Sequence, residues 1–192
     1  MARWFYLTLC VLFLLGIGAD AGAETLFVIG NSLAHHPERQ SIGWKFNHGM
    51  AASSPEHDYV HILQAKLRKA TGKEYDLVIT PMRNESHMAA LPEKMPEQAD
   101  VIILQVGDNY KNTLDEATLK ARYTGMLTTL KERYPKSIVI AVGPWKAGHN
   151  EEYRQAASAA GVPFASIRQL GDNPAMSASG YSSCRQGPPY RS

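Results

Sequence analysis

The sequence predicts an α/β fold in which a parallel sheet of about five strands lies between layers of helices. Two observations carry this. Five short apolar runs, each bounded by Gly, Pro or polar residues, alternate with segments whose apolar residues recur at helical spacing. The runs are apolar at nearly every position instead of every second one, as strands are when helices cover both faces of the sheet.

The first run is Leu26 to Ile29, which stops abruptly at Gly30-Asn31-Ser32. It reads as a buried strand entering a tight turn. The other four are Tyr75 to Thr80, Val101 to Val106, Ile138 to Val142 and Val162 to Ile167. Between them, Ser54-Pro55 supplies a cap and a first-turn proline before Val60, Leu63, Leu67 and Ala70, with Gly72 as the stop. Thr113 to Glu116 reads as a capping box ahead of Leu119, Tyr123, Met126, Leu127 and Leu130. Asn150 caps a helix from Glu151 to Ala160 that ends at Gly161.

Residues 1–23 read as a signal peptide and not as part of the fold. Arg3 makes the start positive, Trp4 to Ile17 is apolar apart from Thr8, and Ala21-Gly22-Ala23 fits a cleavage site of small residues. The run falls short of the roughly 20 residues that a spanning helix needs, so export to the periplasm or beyond is expected, with no stable membrane anchor after cleavage. Cys10 lies within the segment and follows Leu9, the wrong setting for a lipid-modified cysteine. Removing the segment takes away one base, Arg3, and one acid, Asp20, so the formal charge stays at +2. That balance points to neither nucleic acid nor an anionic membrane as a partner. Cys184 is then the sole cysteine, and the exported chain relies on its core instead of a disulfide. Residues 24–176 make one domain, without repeats or charge blocks, and residues 177–192 lack apolar periodicity and read as an irregular or disordered tail.

The carboxyl ends of the strands line the ligand crevice in open parallel α/β sheets. Ser32, just past the first strand, is therefore the candidate nucleophile. The run Asp100 to Tyr110 ends in Gly107-Asp108-Asn109 and opens on the same sheet edge, where the Asn109 amide can donate to a developing oxyanion. Each triplet also suits a plain turn, and two such loops on one edge favour a site.

These residues carry a resemblance. Val28 to Leu33, VIGNSL, resembles the first block of the SGNH (GDSL-type) hydrolases with Asn31 in place of the usual Asp, and Gln105 to Asn109, QVGDN, resembles their Gly-x-Asn block. Ile42 to Leu63 further resembles a secreted bacterial branch of that superfamily. The resemblance covers residues 25 to about 180. It implies a flavodoxin-like three-layer fold and hydrolysis of an ester or acetyl group, on a small-molecule or carbohydrate substrate and without a cofactor. By the same resemblance Ser32 is the nucleophile and its backbone N–H an oxyanion donor, Asn109 a second donor, and Asn84 stands near the point where the family has a Gly as a third. The serine precedes Ala34, unlike the Gly-x-Ser-x-Gly elbow of α/β-hydrolases.

The chain departs from that pattern at its end. The family's near-terminal Asp-x-x-His block has no counterpart, since no histidine follows His149 and Asp172 leads into Asn173-Pro174. The closing helix that the resemblance implies is also missing from the tail, and a premature stop or frameshift is the expected cause of both losses. A serine nucleophile needs a base within about 3 Å. His35 and His36 lie on the same turn as Ser32, His87 follows the second strand and His149 follows the fourth. His57 and His61 in HDYVH stand one helical turn apart, superficially like a zinc helix, but Asp58 is a methylene short of the expected Glu and no third ligand follows. Trp44 and Trp145 flank the expected cleft and suit either a sugar platform or the core. Two function classes follow: an exported serine esterase or deacetylase, and a catalytically inactive pseudoenzyme or truncated product that binds acyl or glycan ligands.

Overall fold

A computed structural model describes residues 22–50, 52–82, 95–110, 114–145 and 148–171. Five strands form one sheet: β1 (Glu24–Gly30), β2 (Tyr75–Pro81), β3 (Val101–Gln105), β4 (Ile138–Val142) and β5 (Phe164–Ala165). Their order is β2-β1-β3-β4-β5 and every pairing is parallel. Among the described residues four α-helices accompany them: α1 (Tyr59–Thr71), α2 (Glu116–Arg133), α3 (Asn150–Ala159) and the short α4 (Arg168–Gly171).

Alternation along the strands divides the core into two layers. Phe27 and Ile29 of β1, with Ile102 and Leu104 of β3, pack against Leu119, Tyr123 and Leu127 of α2 and Tyr153 and Ala157 of α3. Leu26, Val28, Val101 and Ile103 point the other way, toward Val60, Leu63 and Leu67 of α1. All five apolar residues expected to face inward from α2 are buried. Both faces of β1 are thus covered, which explains its unbroken apolar run. Coverage is thinner at the far side of the sheet, where Ile138 of β4 is 61% exposed.

Helix starts differ in detail from expectation. Ser54 and Pro55 open a 3₁₀ turn, Pro55–His57, and α1 begins two residues later under Asp58, whose carboxylate accepts from the His61 N–H. Asp115, next to the first turn of α2, caps it through the Thr118 N–H, a role expected of Thr113, which lies outside the described residues. Asn150 is the first residue of α3, and His149 occupies the cap position with a left-handed backbone. The last strand is shorter than expected: only Phe164 and Ala165 pair, with Ala141 and Val142 of β4. Gly72 and Gly161 end or follow their helices with positive φ, as expected.

Leu104→Ala removes a fully buried side chain from the α2 layer and is expected to cost about 3 kcal/mol of unfolding free energy, against less than about 0.5 kcal/mol for Ile138→Thr, measured by urea denaturation.

Candidate active site

The sheet order reverses between β1 and β3, so the loops leaving those two strands diverge and open a crevice at their carboxyl ends. Gly30 and Gln105 are register partners at that point, and the segments that follow them carry Ser32 and Asn109. Gly30 is required because the turn folds straight back over the strand: a Cβ there would sit 2.5 Å from the Ala34 Cβ.

Asn31 organises the turn. It is 2% exposed, and its backbone N–H donates to the Gln105 carbonyl at 3.2 Å. Its side-chain Oδ1 accepts the Leu33 N–H at 2.9 Å, and its carbonyl accepts the N–H groups of Ala34 and His35 at 3.0 and 3.2 Å. Within residues 31–35 this leaves the Ser32 N–H as the one backbone donor without an acceptor among the described residues. Ser32 itself is half-buried, and its carbonyl accepts the Met50 N–H at 2.8 Å.

Across the crevice, Gly107 turns the chain at a φ of 115°, and a Cβ there would meet Tyr153 Cε2 at 2.9 Å. Only glycine satisfies both the angle and the contact. The turn exposes Asn109, whose side chain has no hydrogen-bond partner among the described residues. Asp108 faces inward instead: its Oδ2 accepts Asn31 Nδ2 at 2.7 Å and Gln105 Nε2 at 2.8 Å. Tyr59 of α1 sends its hydroxyl into the same region, 3.3 Å from the point a Gly30 Cβ would occupy. Burial, with the carboxylates of Asp58 and Asp108 nearby, pushes that phenol well above its usual range, so it remains an O–H at every physiological pH.

This architecture is found in solved esterases. One, AlinE4, described as an SGNH-hydrolase family esterase, superposes with a TM-score of 0.57 at 15% identity, over 83% of this chain and 85% of that one. The fold is that of the SGNH hydrolases. A lipase/acylhydrolase from Enterococcus faecalis shares this SGNH-type fold with a TM-score of 0.53 at 14% identity, over 80% of this chain and 81% of its own. A carbohydrate esterase family 2 enzyme with a carbohydrate-binding domain, from Corynascus thermopiles (Myceliophthora fergusii), does so with 0.52 at 12% identity, over 77% of this chain and 57% of its own. No family model and no curated sequence matches the chain.

On the SGNH-type sheet edge, the structure brings Ser32 and Asn109 to adjacent loops. Asn84 and His87 lie outside the described residues, as do Asp172 and Cys184. His36 Nδ1 bonds to the Pro37 carbonyl at 2.6 Å. His57 Nδ1 lies 3.0 and 3.1 Å from the hydroxyls of Ser53 and Ser54, and His61 Nδ1 lies 2.7 Å from the Asp58 carboxylate. HDYVH therefore serves the start of α1, where buried Asp58 also accepts the Gly49 N–H at 3.2 Å. Among the described residues no three His, Cys, Asp or Glu side chains form a metal-binding group. His149 lies against Tyr110, one residue beyond Asn109, with ring centroids 4.9 Å apart, and its Nδ1 is 3.8 Å from Glu152 Oε1. Trp44 is core, not platform, at 4% exposure, and packs against the rings of Phe46 and His48.

Sequence reasoning passed over three polar residues that the fold buries or half-buries. Gln105 ends an apolar strand with a polar side chain that is 1% exposed, a signal visible in VIILQ. Asp108 read only as a turn former. His48 was hidden in an unpatterned stretch; it is 4% exposed, its Nδ1 bonds to the Gly49 carbonyl at 2.9 Å, and its Nε2 has no partner among the described residues.

Gly107→Ala is expected to lower unfolding free energy by about 2 kcal/mol, because the side chain meets both a left-handed backbone and the Tyr153 ring. Thermal denaturation checks this, and a melting temperature equal to wild type contradicts it.

Proposed function

We propose that this chain is an exported ester hydrolase of SGNH type that cleaves an ester or acetyl group of a small molecule or carbohydrate through Ser32. The observation that carries the reading is that, among the described residues, neither the Ser32 N–H nor the Asn109 side-chain amide has a hydrogen-bond partner, while the two lie on loops that leave adjacent strands. An attacking serine turns the ester carbonyl oxygen into an oxyanion, and two aligned donors in a partly dry crevice stabilise it far more than water does. In this mechanism Ser32 Oγ adds to the carbonyl carbon while its proton passes to a base. The Ser32 N–H and Asn109 Nδ2 hold the oxyanion, and the backbone N–H of Asn84 supplies the third donor expected from the resemblance. Collapse expels the alcohol, and water then releases the acyl group from Ser32. The base is a histidine: His35, His36, His87 or His149, which the sequence places after strands, or the buried His48. The likeness to a carbohydrate esterase supports a sugar ester as one substrate class.

A second reading, a binder that keeps the cleft without turnover, is favoured by one observation. Among the described residues no histidine nitrogen is hydrogen-bonded to the Ser32 hydroxyl. Labelling with a fluorophosphonate, followed by intact mass, separates the two. The hydrolase reading expects one adduct that disappears in Ser32→Ala, and Asn109→Ala is expected to slow labelling by about 100-fold. A folded chain that takes up no label selects the binder.

A further inference from the structure

We infer that Asn31 and Asp108 form a clamp of fixed charge order that positions the two oxyanion donors; this rests on the reading of Ser32 as nucleophile. Each member stands one residue before a donor, Asn31 before Ser32 and Asp108 before Asn109. The link between them is a hydrogen bond of 2.7 Å from Asn31 Nδ2 to Asp108 Oδ2, partly buried, with Asn31 itself 2% exposed. Asn31 spends its other end on the Leu33 N–H, at 2.9 Å. One amide therefore runs from the carboxylate of one loop to the backbone of the other. A carboxylate polarises the amide that donates to it and so strengthens that amide as an acceptor at its far end. The tightness of the Ser32 turn is thus coupled to the position of the Asn109 loop.

The clamp requires one acid and one amide. Gln105 Nε2 donates to the same Asp108 oxygen at 2.8 Å, so the carboxylate is held by two amides. A second acid at position 31 places two carboxylates at hydrogen-bond distance, where both cannot be ionised together. The direction of the hydrogen bond, amide from the β1 side and acid from the β3 side, is set by these two residues. Neither touches the reacting atoms, and both act through their neighbours.

Reversing the pair tests the inference. In Asn31→Asp/Asp108→Asn, the new carboxylate accepts both the Leu33 N–H and one hydrogen of the new amide at 108, whose NH2 takes the place of Asp108 Oδ2, and its second hydrogen goes to the Gln105 side-chain oxygen once that amide turns over. Fluorophosphonate labelling rates are measured for the wild type, each single variant and the double variant, with melting temperatures alongside. Asn31→Asp is expected to slow labelling by about 100-fold, the loss that accompanies a donor misplaced by about 1 Å. Asp108→Asn is expected to slow it about tenfold, and the double variant to return within about threefold of wild type, the coupling that contacting residues show. Adding Asn109→Ala to Asp108→Asn is expected to cost less than Asn109→Ala alone, since both changes disable one donor. If Asn31→Asp does not fold, Asp108→Asn and the double variant decide. A folded Asp108→Asn that labels at the wild-type rate, or a double variant no faster than the slower single, overturns the clamp and leaves Ser32 as nucleophile. An unlabelled wild type overturns both.

Discussion

The placement of β1 between β2 and β3 is the constraint on which the rest of the molecule depends. Because β1 is first in the chain yet lies between β2 and β3, the chain winds away from it in opposite directions, toward β2 on one side and β3 to β5 on the other, and the crevice opens where β1 ends. Its four central residues are wholly buried, two toward each helical layer. A strand so enclosed has no freedom to slide, since a slip of one residue exchanges the two faces. The residue after Gly30 is consequently held in place by the core. The Asn31 N–H reaches the Gln105 carbonyl because register partners Gly30 and Gln105 are fixed beside each other.

The turn beyond β1 inherits that rigidity and uses it. Four of the five backbone N–H groups from Asn31 to His35 are satisfied, three of them by Asn31 itself, which sets the Ser32 N–H apart. A second support comes from the chain between β1 and α1. Met50 donates to the Ser32 carbonyl, Gly49 donates to Asp58, and Asp58 caps α1. The turn is therefore tied to β3 on one side and to a helix start on the other, the rigidity that the proposed oxyanion role requires.

Much of the fold was legible in the chain. Parallel strands covered on both faces must be apolar throughout, so Leu26 to Ile29 and Val101 to Gln105 stand out as runs, and the α2 stripe from Leu119 to Leu130 has the period of a helix. Helix starts were less legible because several capping residues cluster near each one, and the choice of Asp58 over Ser54 depends on packing against Gly49. The stretch from His36 to His48 carried no usable period, since it is held by isolated pairings of His36 with His48 and Arg39 with Trp44. In the candidate site, the placing of Ser32 and Asn109 on neighbouring loops of one sheet edge was legible, because each follows a buried strand at a Gly. The pairing of Asn31 with Asp108 was not, because it joins residues 77 apart whose side-chain directions only the folded sheet determines.

A crystal structure of the fluorophosphonate adduct tests the central claim most directly, because it locates the oxygen that mimics the oxyanion. The account predicts phosphorus bonded to Ser32 Oγ, with the phosphoryl oxygen about 2.7–3.1 Å from both the Ser32 nitrogen and Asn109 Nδ2. A phosphoryl oxygen directed away from both donors, or an adduct on a residue other than Ser32, would contradict it.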